Sequence, residues 1–176
     1  MNIIIRPYRE TDRRAVVELT VASFLGVSID HNLDRGLGPV AGKGWRWRKG
    51  RDIEQDIDSP GSELAVAVDQ DRGQAVGYVT MAVDHETRIG WIHNLAVADN
   101  VRGQGLGRRL IEHALDYFRA AGMTVAKIET LEQNPIGRHL YPSLGFREIA
   151  RQIHYAMPLF SDFADNTDPE SPAELI

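Results

Sequence analysis

The sequence predicts a mixed α+β fold, in which a twisted and mostly antiparallel sheet of about six to seven strands is flanked by about four helices. Three strand-like runs follow one another between residues 63 and 97, and the short polar connections at 69–73 and 84–87 are typical of hairpin turns. An apolar stripe then recurs at helical spacing over residues 105–121 and another strand-like run follows, so residues 89–131 are predicted to form one strand-helix-strand unit.

The first part of the chain is predicted to open with a strand and a helix. Residues 2–6 are typical of a short strand, and Thr11 and Asp12 are suited to cap the helix that follows. Glycines are frequent over residues 26–44 and the apolar periodicity is lost there, which predicts a long loop. The next predicted helix covers residues 45–57.

The remaining elements follow in a regular order along the chain. The patterns predict three strands, a long helix, a further strand, a short helix and a final pair of strands. The predicted ranges are 63–68, 75–83 and 89–97 for the three strands, 105–121 for the long helix, 125–131 for the next strand, 135–144 for the short helix, and 146–150 and 152–158 for the last pair.

Length and charge indicate one domain followed by a short tail. The chain has 176 residues, enough for one hydrophobic core, which we expect to span residues 1–160. Residues 161–176 contain five acidic and no basic residues and are expected to form a flexible, solvated tail. Because the whole chain has 20 basic and 25 acidic residues, the body without this tail is neutral at 20 of each. A neutral body argues against broad nucleic-acid binding.

The composition also excludes several kinds of site. The chain has no cysteine, which rules out disulfides, thiolate zinc sites and a cysteine nucleophile, and we expect no metal. No apolar run approaches the roughly 20 residues that a membrane-spanning helix needs. The apolar stretch at the N-terminus is too short for the core of a signal peptide. We therefore expect a cytoplasmic protein with no membrane partner.

The segment most informative about chemistry is residues 101–110, which carries three glycines at alternate positions between a predicted strand and helix. Glycine allows the backbone to turn sharply and to approach a ligand closely. The amides of a first helical turn lack partners within the helix, and the helix dipole adds positive charge there. Such amides bind phosphate, and Arg102 and Arg108 would add full positive charge. The pattern predicts a site for a diphosphate.

Other phosphate-binding loops fit this segment less well. The dinucleotide fingerprint needs a further glycine at the position of Arg108. The nucleoside triphosphate loop needs a lysine followed by serine or threonine, where this chain has Arg108 and Arg109. On the glycines alone, a turn without a ligand stays open as an alternative.

This loop and its neighbours resemble the GNAT superfamily of N-acetyltransferases. The likeness is strongest from residue 89 to residue 146, and the order of elements extends it over residues 2–158. It implies a GNAT-like fold, acetyl-CoA as co-substrate, and transfer of the acetyl group to a primary amine by direct attack in a ternary complex. The resemblance rests on Leu95-Ala96-Val97, Arg102-Gly103-Gln104-Gly105-Leu106-Gly107, Asn134, Tyr141 and Gly145-Phe146.

The resemblance assigns a cofactor-binding role to a defined set of residues. The amides of the glycine-rich loop would hold the pyrophosphate of coenzyme A, and the end of the preceding strand would line the pantetheine arm as an added strand does. The amide of Leu95 would donate to the thioester carbonyl as negative charge develops on it. The implied cofactor-binding residues are Leu95, Ala96, Val97, Arg102, Gly103, Gln104, Gly105, Leu106, Gly107, Arg108, Asn134 and Tyr141.

Two side chains are candidates for proton transfer. Tyr141 stands where the family places a general acid, whose phenol protonates the departing thiolate. His93 is the candidate base, because an imidazole pKa of about 6.5 suits proton removal from an amine near neutral pH. Period-two alternation predicts that His93 shares a face of its strand with Leu95. Glu86 and Glu129 are weaker candidates for the same role.

The acceptor is left open by the sequence. In the family, the region corresponding to residues 25–58 shapes the acceptor pocket, so the tryptophans and basic residues of 45–51 would recognise an anionic or aromatic acceptor or a protein tail. Alternatively, these tryptophans pack the helix onto the core and the basic side chains are solvated. Both small-molecule and protein amines fit.

Two other classes of function stay open beside acetyl transfer. One is a coenzyme A-binding sensor or assembly module without catalysis. The other is nucleic-acid binding through residues 45–51, which the neutral body of the chain disfavours. Similar proteins commonly form homodimers, and we keep this as an expectation for the assembly.

Overall fold

The computed structural model describes residues 2–159 and contains a five-stranded sheet in the order β1-β2-β3-β4-β5. Neighbouring strands are antiparallel except β4 and β5, which are parallel. This arrangement confirms the mixed α+β class and the strand-helix-strand unit at the end of the sheet. The strands are β1 (Ile3–Pro7), β2 (Ser62–Asp69), β3 (Gln74–Asp84), β4 (Ile89–Val97) and β5 (Val125–Ile128).

The described part of the chain contains five α-helices and two short 3-10 turns. Helix α4 connects the two parallel strands, and it ends where Gly122 adopts a positive φ of 77°. The amide of Met123 then bonds to the carbonyl of Phe118 at 2.9 Å, as is usual where a glycine closes a helix. The helices are α1 (Arg13–Ser23), α2 (Ile29–Leu37), α3 (Trp45–Asp58), α4 (Leu106–Ala120) and α5 (Pro135–Ser143).

Helix α2 lies within the segment predicted to be a long loop, so that prediction is wrong. The Ser28 side chain caps the helix by accepting a hydrogen bond from the His31 amide at 3.1 Å. Arg48 of α3 forms ion pairs with Asp30 at 3.1 Å and with Asp34 at 2.6 Å. These contacts between helices stabilise a helix of only nine residues in a segment where glycines are frequent.

The final pair of strands, predicted at 146–150 and 152–158, is absent from the described residues, so the strand count is five rather than six to seven. Residues 147–159 form no strand, and their large apolar side chains are exposed, with Tyr155 at 90%. The alternation typical of a strand is present, but a strand also needs a partner edge. The predicted tail at 161–176 lies outside the described residues.

The sheet buries an apolar cluster on each face, because side chains alternate along β2. On one face, here called the α4 face, Ala65 and Ala67 pack with Leu110 and Phe118 of α4. On the other, the α1–α3 face, Leu64 and Val66 of β2 pack with α1 and α3. That second cluster comprises Val16, Ile53, Leu64, Val66, Tyr78 and Ala96.

Candidate functional site

The loop between β4 and α4 has the backbone geometry of an anion-binding turn. Gly103 and Gly105 adopt positive φ angles of 74° and 79°, a conformation that glycine reaches without strain. Gly105 is the N-cap of α4, and the amide of Arg109 is the first to bond back to it, at 3.1 Å. Within residues 2–159, the amides from Gly103 to Arg108 have no backbone acceptor. These amides are therefore available to an anion.

The arginines beside this loop also contact their neighbours. Arg102 donates from Nε to the carbonyl of Val97 at 3.1 Å and pairs with Asp99 at 2.8 Å. Arg108 donates from Nη2 to Ser143 Oγ at 2.8 Å, which joins α4 to α5. Asp99 thus offsets the charge of Arg102, and Arg108 is held beside Ser143; their contribution to anion binding stays a prediction.

Pairing between the two parallel strands stops short of this loop, and the unpaired stretch beside β4 is here called the gap. Strands β4 and β5 pair from Ile89 with Val125 to Ile92 with Ile128. Strand β4 continues to Val97 while paired with β3 on its other side. In the described part of the chain, the β5-facing edge of β4 is thus unpaired after Ile92. An extended ligand that carries amides can add to such an edge as another strand.

A β-bulge in β4 marks the start of this gap. Ile92 faces Met81 of β3 and Leu95 faces Val79, so two residues of β4 lie opposite the single residue between Met81 and Val79. Bulges bend a strand and disrupt the ladder locally, and they are frequent next to active sites. The bulge thus coincides with the point at which β4 stops pairing with β5.

The bulge also overturns the prediction that His93 and Leu95 share a face. Leu95 packs in the cluster of the α4 face. The His93 ring stacks on Trp91, with centroids 4.8 Å apart, and Trp91 alternates with Gly90 and Ile92, which contact residues of the α4 face. His93 therefore lies on the α1–α3 face. The extra residue in β4 shifts the alternation, which period-two reasoning does not anticipate.

Helix α5 contributes Tyr141 to the α4 face, in the same cluster as Leu95 and Val97. The helix continues through Pro142, so Tyr141 has helical geometry. Burial raises the pKa of the Tyr141 phenol to about 12, which keeps it protonated near neutral pH. The Tyr141 ring also lies edge-on to Phe146, with centroids 6.2 Å apart.

Asn134 has a local structural role at the start of α5. Its side chain accepts a hydrogen bond from the Gly137 amide at 3.3 Å and donates to Thr130 Oγ1 at 2.9 Å. It is therefore the N-cap of α5, and the helix approaches the end of β5 closely because a Cβ on Gly137 would lie 2.7 Å from Thr130 Oγ1. A direct contact between Asn134 and a cofactor stays a prediction.

The candidate bases occupy different places. Glu129 follows β5 and pairs with Lys127 at 3.0 Å, and Lys127 Nζ lies 3.9 Å from the Trp91 ring centroid. Glu129 thus belongs to the same surface as Trp91 and His93. Glu86 lies in the turn before β4, and the paired stretch 89–92, about 13 Å of strand, separates it from the gap.

The basic stretch of α3 departs in part from the alternative in which its tryptophans pack and its basic side chains are solvated, and recognition of an acceptor by this stretch stays a prediction. Trp45 packs inside as expected, but Trp47 is 53% exposed. Arg48 and Lys49 are not solvated, because Arg48 pairs with two aspartates of α2 and Lys49 is buried with Asp52 at 2.6 Å from its Nζ. These two cations therefore do not contribute to a basic outer surface.

Sequence reasoning missed three groups near the gap. Gln133 donates to the carbonyl of Gly26 at 2.7 Å and to Asn32 at 2.8 Å, which ties the segment after β5 to the start of α2. Asn94 and Lys49 are buried next to each other on the α1–α3 face. The available signal was an asparagine within the strand-like run 89–97, whereas Lys49 stands among basic residues and offered none.

Residues 2–159 contain no cluster of three or more histidine, aspartate or glutamate side chains that could hold a metal ion. Across the same residues, no helix combines the length and the apolar character needed to cross a bilayer. The cytoplasmic location and the homodimer stay predictions.

Comparisons with known proteins agree with this geometry. The model of the acetyltransferase (GNAT) family matches residues 31–146. The ribosomal protein bS18-alanine N-acetyltransferase of Salmonella typhimurium is 32% identical over 85 residues, which cover 48% of this chain and 55% of that protein. The mycothiol acetyltransferase of Beutenbergia cavernae is 36% identical over 73 residues, covering 42% of this chain and 25% of the relative.

The fold is shared with solved acetyltransferases. The aminoglycoside N-acetyltransferase AAC(6')-Iy, crystallised in complex with CoA, superposes with a TM-score of 0.62 at 18% identity, covering 89% of this chain and 95% of that one. The chain spans about a quarter to a half of the length of the two curated relatives above. Since the family model covers most of the chain and includes the loop, the gap and Tyr141, the chain belongs to the GNAT acetyltransferase family.

Proposed function

We propose that this chain is an acetyl-CoA-dependent N-acetyltransferase that transfers an acetyl group to a primary amine within a ternary complex. The observation that carries the proposal is the adjacency of two features at the end of β4. One is the set of loop amides without backbone acceptors from Gly103 to Arg108, and the other is the unpaired edge of β4 after Ile92. A ligand with a diphosphate at one end and amides along an extended arm matches both features.

The residues of this site fit coenzyme A. The glycine-rich loop would bind the pyrophosphate through its amides, with Arg102 and Arg108 adding charge. Leu95, Ala96 and Val97 would bind the pantetheine arm along the free edge of β4. Acetyl-CoA supplies an activated acetyl group as a thioester. The amide of Leu95 would act as the hydrogen-bond donor at the acyl oxygen.

Tyr141 is proposed as the general acid. Its raised pKa, about 12 because of burial, means that the phenol carries its proton throughout the physiological range. Tyr141 shares the apolar cluster with Leu95 and Val97, so the donor and the proposed arm-binding strand lie on one side of the sheet. In this position the phenol would donate a proton to the departing thiolate.

His93 is proposed as the base that removes a proton from the amine, directly or through water. Its ring stacks on Trp91 and is exposed, so the unprotonated nitrogen of the neutral imidazole is accessible to an amine or to water. Glu129 is the competing candidate, but its carboxylate pairs with Lys127 at 3.0 Å. Glu86 is disfavoured by its distance along the strand. His93 lies on the α1–α3 face of the sheet, and we propose that the acceptor binds on this face.

The acceptor class is not fixed by these features. The curated relatives are named a mycothiol acetyltransferase and a ribosomal protein bS18-alanine N-acetyltransferase, and the solved neighbour is named an aminoglycoside N-acetyltransferase. A small-molecule amine and a protein amine are therefore both carried into the experiment.

The test is the release of coenzyme A from acetyl-CoA across a panel of amines and peptide N-termini. Wild-type protein and Tyr141→Phe are compared, and cofactor binding is followed by calorimetry for both. We expect turnover on at least one acceptor, a fall of about 10²-fold in kcat for Tyr141→Phe, and unchanged binding of coenzyme A, because general acid catalysis contributes about 10²–10⁴-fold.

Other outcomes have definite meanings. Binding without turnover on any acceptor would favour a coenzyme A-binding module without catalysis. An absence of coenzyme A binding would remove the interpretation of Arg102 to Gly107 as a pyrophosphate site. The rates of His93→Gln and Glu129→Gln are then measured over pH with the active acceptor. The base is the residue whose substitution removes the ascending limb of the rate profile.

A further inference from the structure

The bulge of β4 lies between the paired and the unpaired parts of the strand. His93 and Asn94 lie opposite Thr80 of β3, and pairing with β5 stops one residue earlier, at Ile92. Leu95 follows the bulge directly. The direction of the Leu95 peptide group therefore depends on how the bulge is held.

Side chains from α3 and β3 hold this bulge from the α1–α3 face. Thr80 Oγ1 accepts a hydrogen bond from the Asn94 amide at 2.8 Å. Asn94 Nδ2 donates to Asp56 Oδ2 at 2.6 Å, and Lys49 Nζ donates to Asn94 Oδ1 at 3.0 Å. Lys49 Nζ also donates to Asp52 Oδ2 at 2.6 Å. We call Lys49, Asp52, Asp56, Thr80 and Asn94 the bulge network.

Three members of the bulge network, Thr80, Asn94 and Lys49, are buried where apolar packing would be expected, while Asp56 is half-buried and Asp52 is exposed. Thr80 is fully buried and Asn94 and Lys49 are each 7% exposed. Lys49 Nζ also lies 4.5 Å from the centroid of the Phe24 ring. Burying polar groups costs free energy that their hydrogen bonds only partly offset, so such networks contribute more to a defined geometry than to stability. The geometry defined here is that of the bulge.

We infer that the bulge network positions the Leu95 amide in the gap between β4 and β5, and that it sets the rate of acetyl transfer through that amide. This inference rests on the proposed function. The positioning residues are Thr80, Asn94, Lys49 and Asp56. Their side chains lie on the α1–α3 face of the sheet, whereas the Leu95 side chain lies on the α4 face. Their effect on turnover is exerted through the peptide group that follows Asn94.

Thr80 offers a clean test because its hydroxyl bonds the bulge directly. Thr80→Val keeps the shape and removes the acceptor for the Asn94 amide, whereas Thr80→Ser keeps the hydroxyl. Thr20 is a matched control, because it is also a fully buried threonine on the α1–α3 face, and its hydroxyl bonds to the Val16 carbonyl at 2.7 Å and to Tyr78 rather than to the bulge.

We expect Thr80→Val to lower kcat about tenfold while KM for acetyl-CoA stays within about twofold, because a small displacement of an oriented donor affects the transition state more than binding. Thr80→Ser should recover most of this loss. Thr20→Val should lose similar stability in urea without the fall in kcat. Equal kcat for Thr80→Val and Thr20→Val would overturn the inference.

A second readout separates this inference from the proposed function. The backbone amide resonance of Leu95 is followed in ¹⁵N-labelled protein while coenzyme A is added to the wild type and the three variants. The inference predicts an altered response of this amide in Thr80→Val, and a response like that of the wild type in Thr80→Ser and Thr20→Val. If no amine is acetylated, the proposed function fails, and the Leu95 resonance still shows whether Thr80 positions this amide. The same response in all four proteins would refute the positioning role.

Discussion

The two faces of the sheet are built from different chemistry. Helix α4 packs apolar side chains such as Leu110 and Phe118 onto one face. The α1–α3 face buries hydroxyls, an amide and an ammonium group among its apolar residues, including Thr20, Thr80, Asn94 and Lys49. Because apolar burial stabilises without directional preference while hydrogen bonds specify direction, we expect the α4 face to supply most of the stability and the α1–α3 face to orient the site.

The largest effect should come from truncating the apolar face. Leu110→Ala removes a fully buried side chain whose Cδ1 lies against Gly77, and we expect a loss of about 2–5 kcal/mol in the free energy of unfolding. The measurement is urea denaturation. Leu25→Ala removes the same atoms from a side chain that is 56% exposed and should change stability by less than about 0.5 kcal/mol. Similar losses for both variants would contradict the assignment of the core.

A pair of glycines at the two ends of α4 separates cofactor binding from backbone strain. Gly105 and Gly122 have positive φ angles of 79° and 77°, and a Cβ on either would meet nothing within 4 Å. Each alanine variant should therefore lose about 1–2 kcal/mol of stability. Gly105→Ala should also weaken coenzyme A binding about tenfold in calorimetry, because it alters the loop that presents the amides. Equal affinities for the two variants would argue against the loop as the pyrophosphate site.

On the polar face, removal of one buried hydroxyl should have a smaller effect. Tyr78 is fully buried and its hydroxyl lies 2.6 Å from Thr20 Oγ1. Tyr78→Phe should cost about 0.5–1.5 kcal/mol, towards the lower end because Thr20 still bonds to the Val16 carbonyl. Chemical denaturation measures this, with Tyr155→Phe, 90% exposed, as the neutral control. No loss in Tyr78→Phe would mean that this hydrogen bond adds nothing.

The smallest expected effect is on the alkaline side of the rate profile. Deprotonation of the Tyr141 phenol would remove the general acid. The enzyme's kcat/KM should therefore fall as the pH rises through the pKa of this phenol. Because burial raises that pKa from about 10 to about 12, we expect no descending limb near pH 10 in kcat/KM. A limb near pH 10 that disappears in Tyr141→Phe would show that the phenol is more solvated than the structure indicates.

The sequence predicted the parts of the fold that depend on local pattern. The strands β2, β3 and β4 and the helix α4 follow from alternation, turn residues and an apolar stripe, and they lie within a few residues of the predicted ranges. Helix α2 was missed because it is short and lies among frequent glycines, and its ion pairs with Arg48 of α3 join residues 14 and 18 positions apart. Distant partners of this kind leave little trace in local sequence.

The candidate site was likewise predictable only where it depends on local sequence pattern. The loop could be singled out because three glycines before a helix are typical of an anion-binding turn, and Gly103 and Gly105 have the positive φ angles that such a turn uses. The face of His93 could not, because a bulge is a property of two paired strands, and the extra residue in β4 becomes visible only from its register with β3. The buried contacts of Lys49 and Asn94 likewise depend on how α3 packs across the sheet.

The central claim is that coenzyme A binds across the loop after β4 and the gap between β4 and β5. The most direct test is a titration of ¹⁵N-labelled protein with coenzyme A, followed through all backbone amides. The claim predicts that the largest changes in amide chemical shift occur at residues 103–108 and 95–97, with smaller changes around Tyr141. Saturable changes confined to α2 and α3, or no changes at millimolar coenzyme A, would contradict it.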